Sequence, residues 1–224
     1  MMLATRSIRR VVVGALAATT LFAGSAKAVT FNVDNVNLTN GFMNVFELPS
    51  NGGGYIFGSG WGIADLNATF AGGNWTLSPN TIGDPNPFWY TPSGGPGAAG
   101  NKVMEANLYS QFTGSLAGQT VTFIGNVVSN TLTSAHVGKI FIRDFAPDFS
   151  SVVEQSIPMP AAGNFSISLA TINDPNRHVQ YGFQLKGECV WYTDTAPFGN
   201  VVIGPQSVTP SQKSSWSRVK SLYR

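Results

Sequence analysis

The chain has 224 residues, of which 43% are hydrophobic and only 11% are charged, and its formal charge is +2. Eight of its 13 Lys and Arg lie at the two ends (Arg6, Arg9, Arg10, Lys27; Lys213, Arg218, Lys220, Arg224), which leaves five in residues 29–208 against all 11 acidic residues. An acidic body excludes the clustered Lys/Arg footprint of a nucleic-acid binder.

The first 28 residues read as an export signal. Arg6, Arg9 and Arg10 precede an apolar run from Val11 to Gly24, and Ala26-Lys27-Ala28 supplies an A-x-A cleavage site. That run is shorter than the roughly 20 residues that span a bilayer. The expectation is a protein secreted or held at the cell surface, its mature chain beginning near Val29. Residues 29–205 then form one domain, large enough for a substantial core, followed by a polar linker and tail over 206–224. A single cysteine, Cys189, forms no internal disulfide, and its strand-like context predicts a buried, inert thiol.

Taken in order, the domain reads as strand after strand. Phe31 and Val33 alternate with Asn32 and Asp34, and Val36 and Leu38 take the opposite parity, which predicts a β-bulge near Asp34-Asn35. Phe42–Leu48 is a second strand. Leu66–Phe70 and Trp75–Leu77 flank Ala71-Gly72-Gly73-Asn74 and predict a tight hairpin, because glycine supplies positive φ at no steric cost. Residues 78–101 carry Pro79, Pro85, Pro87, Pro92 and Pro96, which exclude regular helix and interior strand, with Phe88-Trp89-Tyr90 at their centre. Strands are predicted over Lys102–Phe112, around Val121–Val127, over Val137–Phe145 (covered on both faces), over Val152–Ile157 and around Phe165–Leu169. Asp174-Pro175-Asn176 marks a turn. Val179, Tyr181, Phe183 and Leu185 alternate with His178, Gln180, Gln184 and Lys186 in a half-buried strand. A Lys-Gly step is predicted to turn there into Cys189-Val190-Trp191-Tyr192, so that Arg177–Ile203 forms a closing hairpin and last strand. About ten or eleven short strands without an internal helix predict an all-β fold, an antiparallel β-sandwich of the jelly-roll kind. In the tail, Trp216, Val219 and Tyr223 share one helical face beside Arg218, Lys220 and Arg224. This reads either as a short basic amphipathic helix, making a peripheral envelope contact through Trp216, Arg218, Lys220 and Tyr223, or as a disordered end.

Catalytic signatures are missing: there is no H-E-x-x-H, G-x-S-x-G or P-loop, and one Cys with two separated His, His136 and His178, does not suit zinc. The expectation is a non-enzyme without a cofactor. A structural calcium is the metal that the loops suit best, with Asp34, Asp65 and Asp194 as ligands; Asx turns are the competing role for each. The aromatic residues in loops are the stronger signal. Trp61, Phe88, Trp89 and Tyr90 are the expected ligand-binding residues, because flat rings stack on the C–H faces of sugars while amides ring the site.

The bulged first strand, the Gly/aromatic loop region, Gly114-Ser115-Leu116-Ala117-Gly118-Gln119-Thr120-Val121-Thr122-Phe123, Gly163-Asn164-Phe165-Ser166-Ile167, Val179-Gln180-Tyr181-Gly182-Phe183 and the final Asn200-Val201-Val202-Ile203 together resemble galactose-binding-like jelly rolls of secreted carbohydrate-binding modules, over residues 29–205. The resemblance is one of pattern. It implies a polysaccharide or cell-surface glycan as partner, with ligands on a sheet face or in loops at one end. The rival expectations are a structural component of an extracellular matrix or surface layer and, last, a hydrolase.

Overall fold

The computed structural model describes residues 27–207; residues 1–26 of the leader and 208–224 of the tail, including Trp216, Arg218, Lys220 and Tyr223, lie outside the described residues. The strands in chain order are β1 (Ala28–Asn32), β2 (Asn40–Glu47), β3 (Tyr55–Gly60), β4 (Ala68–Ala71), β5 (Asn74–Leu77), β6 (Tyr90–Thr91), β7 (Ala99–Gly100), β8 (Lys102–Thr113), β9 (Thr120–Asn130), β10 (His136–Phe145), β11 (Val152–Pro158), β12 (Gly163–Ala170), β13 (His178–Glu188) and β14 (Val201–Gly204). Three single 3₁₀ turns, Pro49–Asn51, Ala64–Leu66 and Ala196–Phe198, are the helical segments among the described residues.

Two six-stranded sheets pack face to face as a β-sandwich compatible with a jelly roll. One is ordered β11-β10-β13-β8-β2-β3 and is antiparallel throughout. The other is built on β9. β12 pairs along one edge of β9, while β1 and β14 share the opposite edge end to end, β1 against Thr120–Ile124 and β14 against Asn126–Asn130; β5 and β4 extend the sheet beyond β14. β1 pairs parallel to β9, a departure from the antiparallel expectation. Reciprocal hydrogen bonds between Asn32 and Gln206, 3.0 and 2.9 Å, tie the end of β1 to the chain just after β14.

Strand alternation builds the core. Met43 and Val45, Met104, Ala106 and Leu108, Ile140 and Ile142, and Val179, Tyr181, Phe183 and Leu185 face the other sheet, where Phe123 of β9 meets Tyr181 at 4.8 Å and Phe183 at 5.4 Å between centroids. The Gly72-Gly73 hairpin forms as expected, both residues at positive φ. β10 is covered on both faces at its middle: Ile140 and Ile142 lie in the core, and Phe141 lies buried under Arg143 on the outer face.

Three local expectations are corrected. β1 ends at Asn32, and no bulge follows. Asp34 Oδ1 instead accepts from the N–H groups of Val36 and Asn37 at 2.9 and 2.7 Å, and this Asx turn produces the change of parity. The Lys186-Gly187 step does not turn the chain, because β13 runs through to Glu188. Gly187 is needed there for packing, since a Cβ would strike the His136 ring. Finally, β13 and β14 form no hairpin; they belong to opposite sheets, and the chain crosses the sandwich between them.

Candidate functional site on the outer face of the antiparallel sheet

Residues of one parity on β2, β8, β13 and β10 fill the core, so the other parity forms the outer face of that sheet. Sequence alternation places Asn44, Asn107, Gln180, Gln184 and Arg143 there, and strand register brings them together: Gln111, Gln180, Arg143 and Glu154 form one cross-strand row, and Phe42, Asn107, Gln184 and Lys139 another. Between these rows lies Tyr109, Gly182 and Phe141.

The side chains on this face are wired to one another. Arg143 Nε donates to Glu154 Oε2 at 2.6 Å and its Nη1 to Asn107 Oδ1 at 2.9 Å, while Gln184 Nε2 donates to the same Asn107 oxygen at 3.0 Å. Gln180 Nε2 donates to Gln111 Oε1 at 2.8 Å. The Arg143 guanidinium carbon lies 3.8 Å from the Phe141 ring centroid, over its face, a cation–π contact. Burial raises the Glu154 carboxyl, but hydrogen bonds from Arg143, Lys139 and Ser156 outweigh that and hold it at about 2.

Above this floor runs a cleft of about 530 Å³, rimmed by Phe42 and Tyr55 at one end and by Phe145 and Phe149 at the other, with Tyr109 between. Tyr55 is 61% and Phe149 50% exposed, unusual for rings of this size. Phe149 stacks flat on His178 (4.5 Å, 3°) and occupies the left-handed region at φ 59°. A bulky side chain there is a conformational outlier, of the kind that clusters at binding sites.

The loop aromatics expected to bind ligand do not gather in this cleft. Tyr90 is corrected to a scaffold role. It is fully buried, and its hydroxyl lies 2.7 Å from Ile82 O and 3.0 Å from Val190 O and accepts from Ile82 N and Cys189 Sγ. Trp89 is half-buried against the core beside Phe57, and Phe88 packs edge-on to Trp89 and under the Lys102 ammonium. Trp61 donates from Nε1 to Ser59 Oγ at 2.9 Å and shares with Asp65 a shallow recess of about 520 Å³ near Thr81 and Ile82.

The three aspartates considered for calcium do not meet. Asp34 caps its Asx turn, Asp65 lines the Trp61 recess, and Asp194 accepts from Gly97 N at 2.6 Å and Thr193 Oγ1 at 2.8 Å. Among the described residues no three His, Cys, Asp or Glu side chains form a metal-binding group. A third recess, about 550 Å³, lies between Ala98, Asp194 and Phe198 beside His136. Cys189 is buried as expected, and burial, partly offset by the Tyr90 hydrogen bond, pushes its thiol up to about 11.

Sequence reading missed the cleft because it looked for rings in loops. Tyr55, Tyr109, Gln111 and Gln180 sit on regular strands, and only register shows that they share a face. The polar outward parity of β13 was the one signal available. Comparison with protein-family models, curated proteins and solved structures gives no match.

Proposed function

We propose that this protein is an exported, non-catalytic binding module that takes a glycan, or a similarly hydroxyl-rich extracellular polymer, across the outer face of its β11-β10-β13-β8-β2-β3 sheet. The reading rests on one observation: a cleft floored by Asn107, Gln180 and Arg143 and rimmed by exposed aromatic rings. Sugars present both chemistries, with C–H faces for ring stacking and hydroxyls for amide and guanidinium hydrogen bonds. From β10 to β3 the cleft crosses four strand spacings, roughly 19 Å at about 4.8 Å each, a length that suits a polymer segment. Its lining holds no carboxylate, whereas glycoside hydrolysis takes two flanking the bond. The likeness in pattern to galactose-binding-like modules agrees with this reading, as does the signal-like leader.

A glycan array with the wild-type protein tests it, followed by titration of any hit against Tyr55→Ala and Phe149→Ala. Each variant is expected to weaken binding at least tenfold with the fold intact. A blank array, or hits unaffected by both variants, overturns the assignment.

A further inference from the structure

If the cleft is a glycan site, its electrostatics say which glycans it takes. Arg143 is the only charged side chain lining it. A guanidinium recognises a carboxylate or sulfate by offering two parallel N–H donors along one edge. Here Nε donates to Glu154 at 2.6 Å and Nη1 to Asn107 at 2.9 Å, and the group lies over Phe141. Nη2 has no protein partner among the described residues, but the charge of the fork is already met by the Glu154 carboxylate. The three N–H donors left on Nη1 and Nη2 suit hydroxyl or ring oxygens, which bring no charge that competes with Glu154.

The remaining cations on this face are also engaged. Lys139 Nζ holds the other Glu154 oxygen at 2.9 Å, and Lys186 Nζ lies 3.4 Å from Glu105. Glu105 also accepts from Asn44 Nδ2 at 3.1 Å beside the cleft's Phe42 end. An acidic ligand would have to displace Glu154 or bind next to it. The Glu154 carboxyl is held at about 2, so that negative charge persists at any working pH.

We infer that the cleft selects uncharged glycans over uronic or sulfated ones, and that Glu154 sets this selectivity by occupying Arg143. The inference rests on the glycan reading above, and Glu154 acts in it as a positioning residue.

The experiment titrates wild-type protein, Glu154→Gln and Arg143→Met with two oligosaccharide series of equal length, neutral galacto-oligosaccharides and oligogalacturonides, at low and high ionic strength. Wild type is expected to bind the neutral series at least tenfold tighter, with little dependence on salt. Glu154→Gln should narrow that preference at least tenfold, through a gain in uronate affinity that high salt removes. Arg143→Met should weaken neutral binding and gain no uronate binding. This variant keeps the inference testable if Glu154→Gln does not fold. Wild type preferring uronates, or a preference unchanged in Glu154→Gln, overturns the selectivity while leaving the glycan reading standing. No binding of either series by any of the proteins defeats the glycan reading, and this inference with it.

Discussion

Arg143 on β10 and Asn107 on β8 belong to strands that are not neighbours, yet their side chains meet at 2.9 Å across β13, where Gly182 separates the outward-facing Gln180 and Gln184. A Cβ at position 182 would strike the Leu108 carbonyl and Tyr109 Cα, both backbone atoms that cannot swing aside. Gly182→Ala is therefore expected to lower stability by about 1–3 kcal/mol through overpacking and to weaken cleft binding. Denaturant midpoints and oligosaccharide titration check the two effects separately.

At the edge of the core, Asp144 is 1% exposed and is held by Arg177 Nε at 2.8 Å, with Ile172 N donating to its other oxygen at 2.8 Å. Arg143, next to Asp144 in the chain, is not its partner, because adjacent residues on a strand point to opposite faces. Removing one member of a buried pair strands the other charge. Arg177→Met is expected to cost about 3–5 kcal/mol, measured by chemical denaturation; a loss below 1 kcal/mol would show that the pair contributes little.

Burial pushes the His136 imidazole below its ordinary value, against a smaller opposing pull from its hydrogen bond to the Glu188 carbonyl. Its Nε2 donates that bond at 3.1 Å, and Nδ1 is buried without a partner. A proton on Nδ1 has no acceptor, so the folded state binds it less readily than the unfolded chain does. Stability is complete above the unfolded value near 6.5 and falls as pH drops through it toward the lower folded value. Glu154 has the opposite charge and a separate window: its contribution holds above about 4.5 and is lost as pH falls toward about 2. Thermal melts from pH 8 to 2 should show both steps, and His136→Phe should remove the upper one.

Tyr90→Phe deletes a hydroxyl that serves Ile82, Val190 and Cys189. The expected cost is about 1–3 kcal/mol from buried groups left unpaired, with cleft binding unchanged. A binding defect at full stability would restore Tyr90 to the ligand site.

Cys189, 1% exposed and with its thiol pushed up to about 11, should resist a thiol-specific reagent in the native protein and react only on unfolding. Rapid native labelling would contradict the buried placement.

Local patterning alone determined much of this protein. The alternation Val179-Tyr181-Phe183-Leu185 marked one face of β13 as core, Gly72-Gly73 set the β4–β5 turn, and the isolated, strand-embedded Cys189 pointed to an inert thiol. Such features depend on neighbours a few residues apart, which the sequence displays directly. Only the tertiary structure decided the rest. β14 joins β9 and not β13, Lys186-Gly187 continues the strand because His136 packs on it, and Tyr90 is held in the core by groups eight and about a hundred positions away. The cleft itself exists only through register, which sets Gln111, Gln180, Arg143 and Glu154 in one row from four separate strands. Long-range pairing is specified by many weak side-chain contacts acting together, so no local stretch of the chain spells it out.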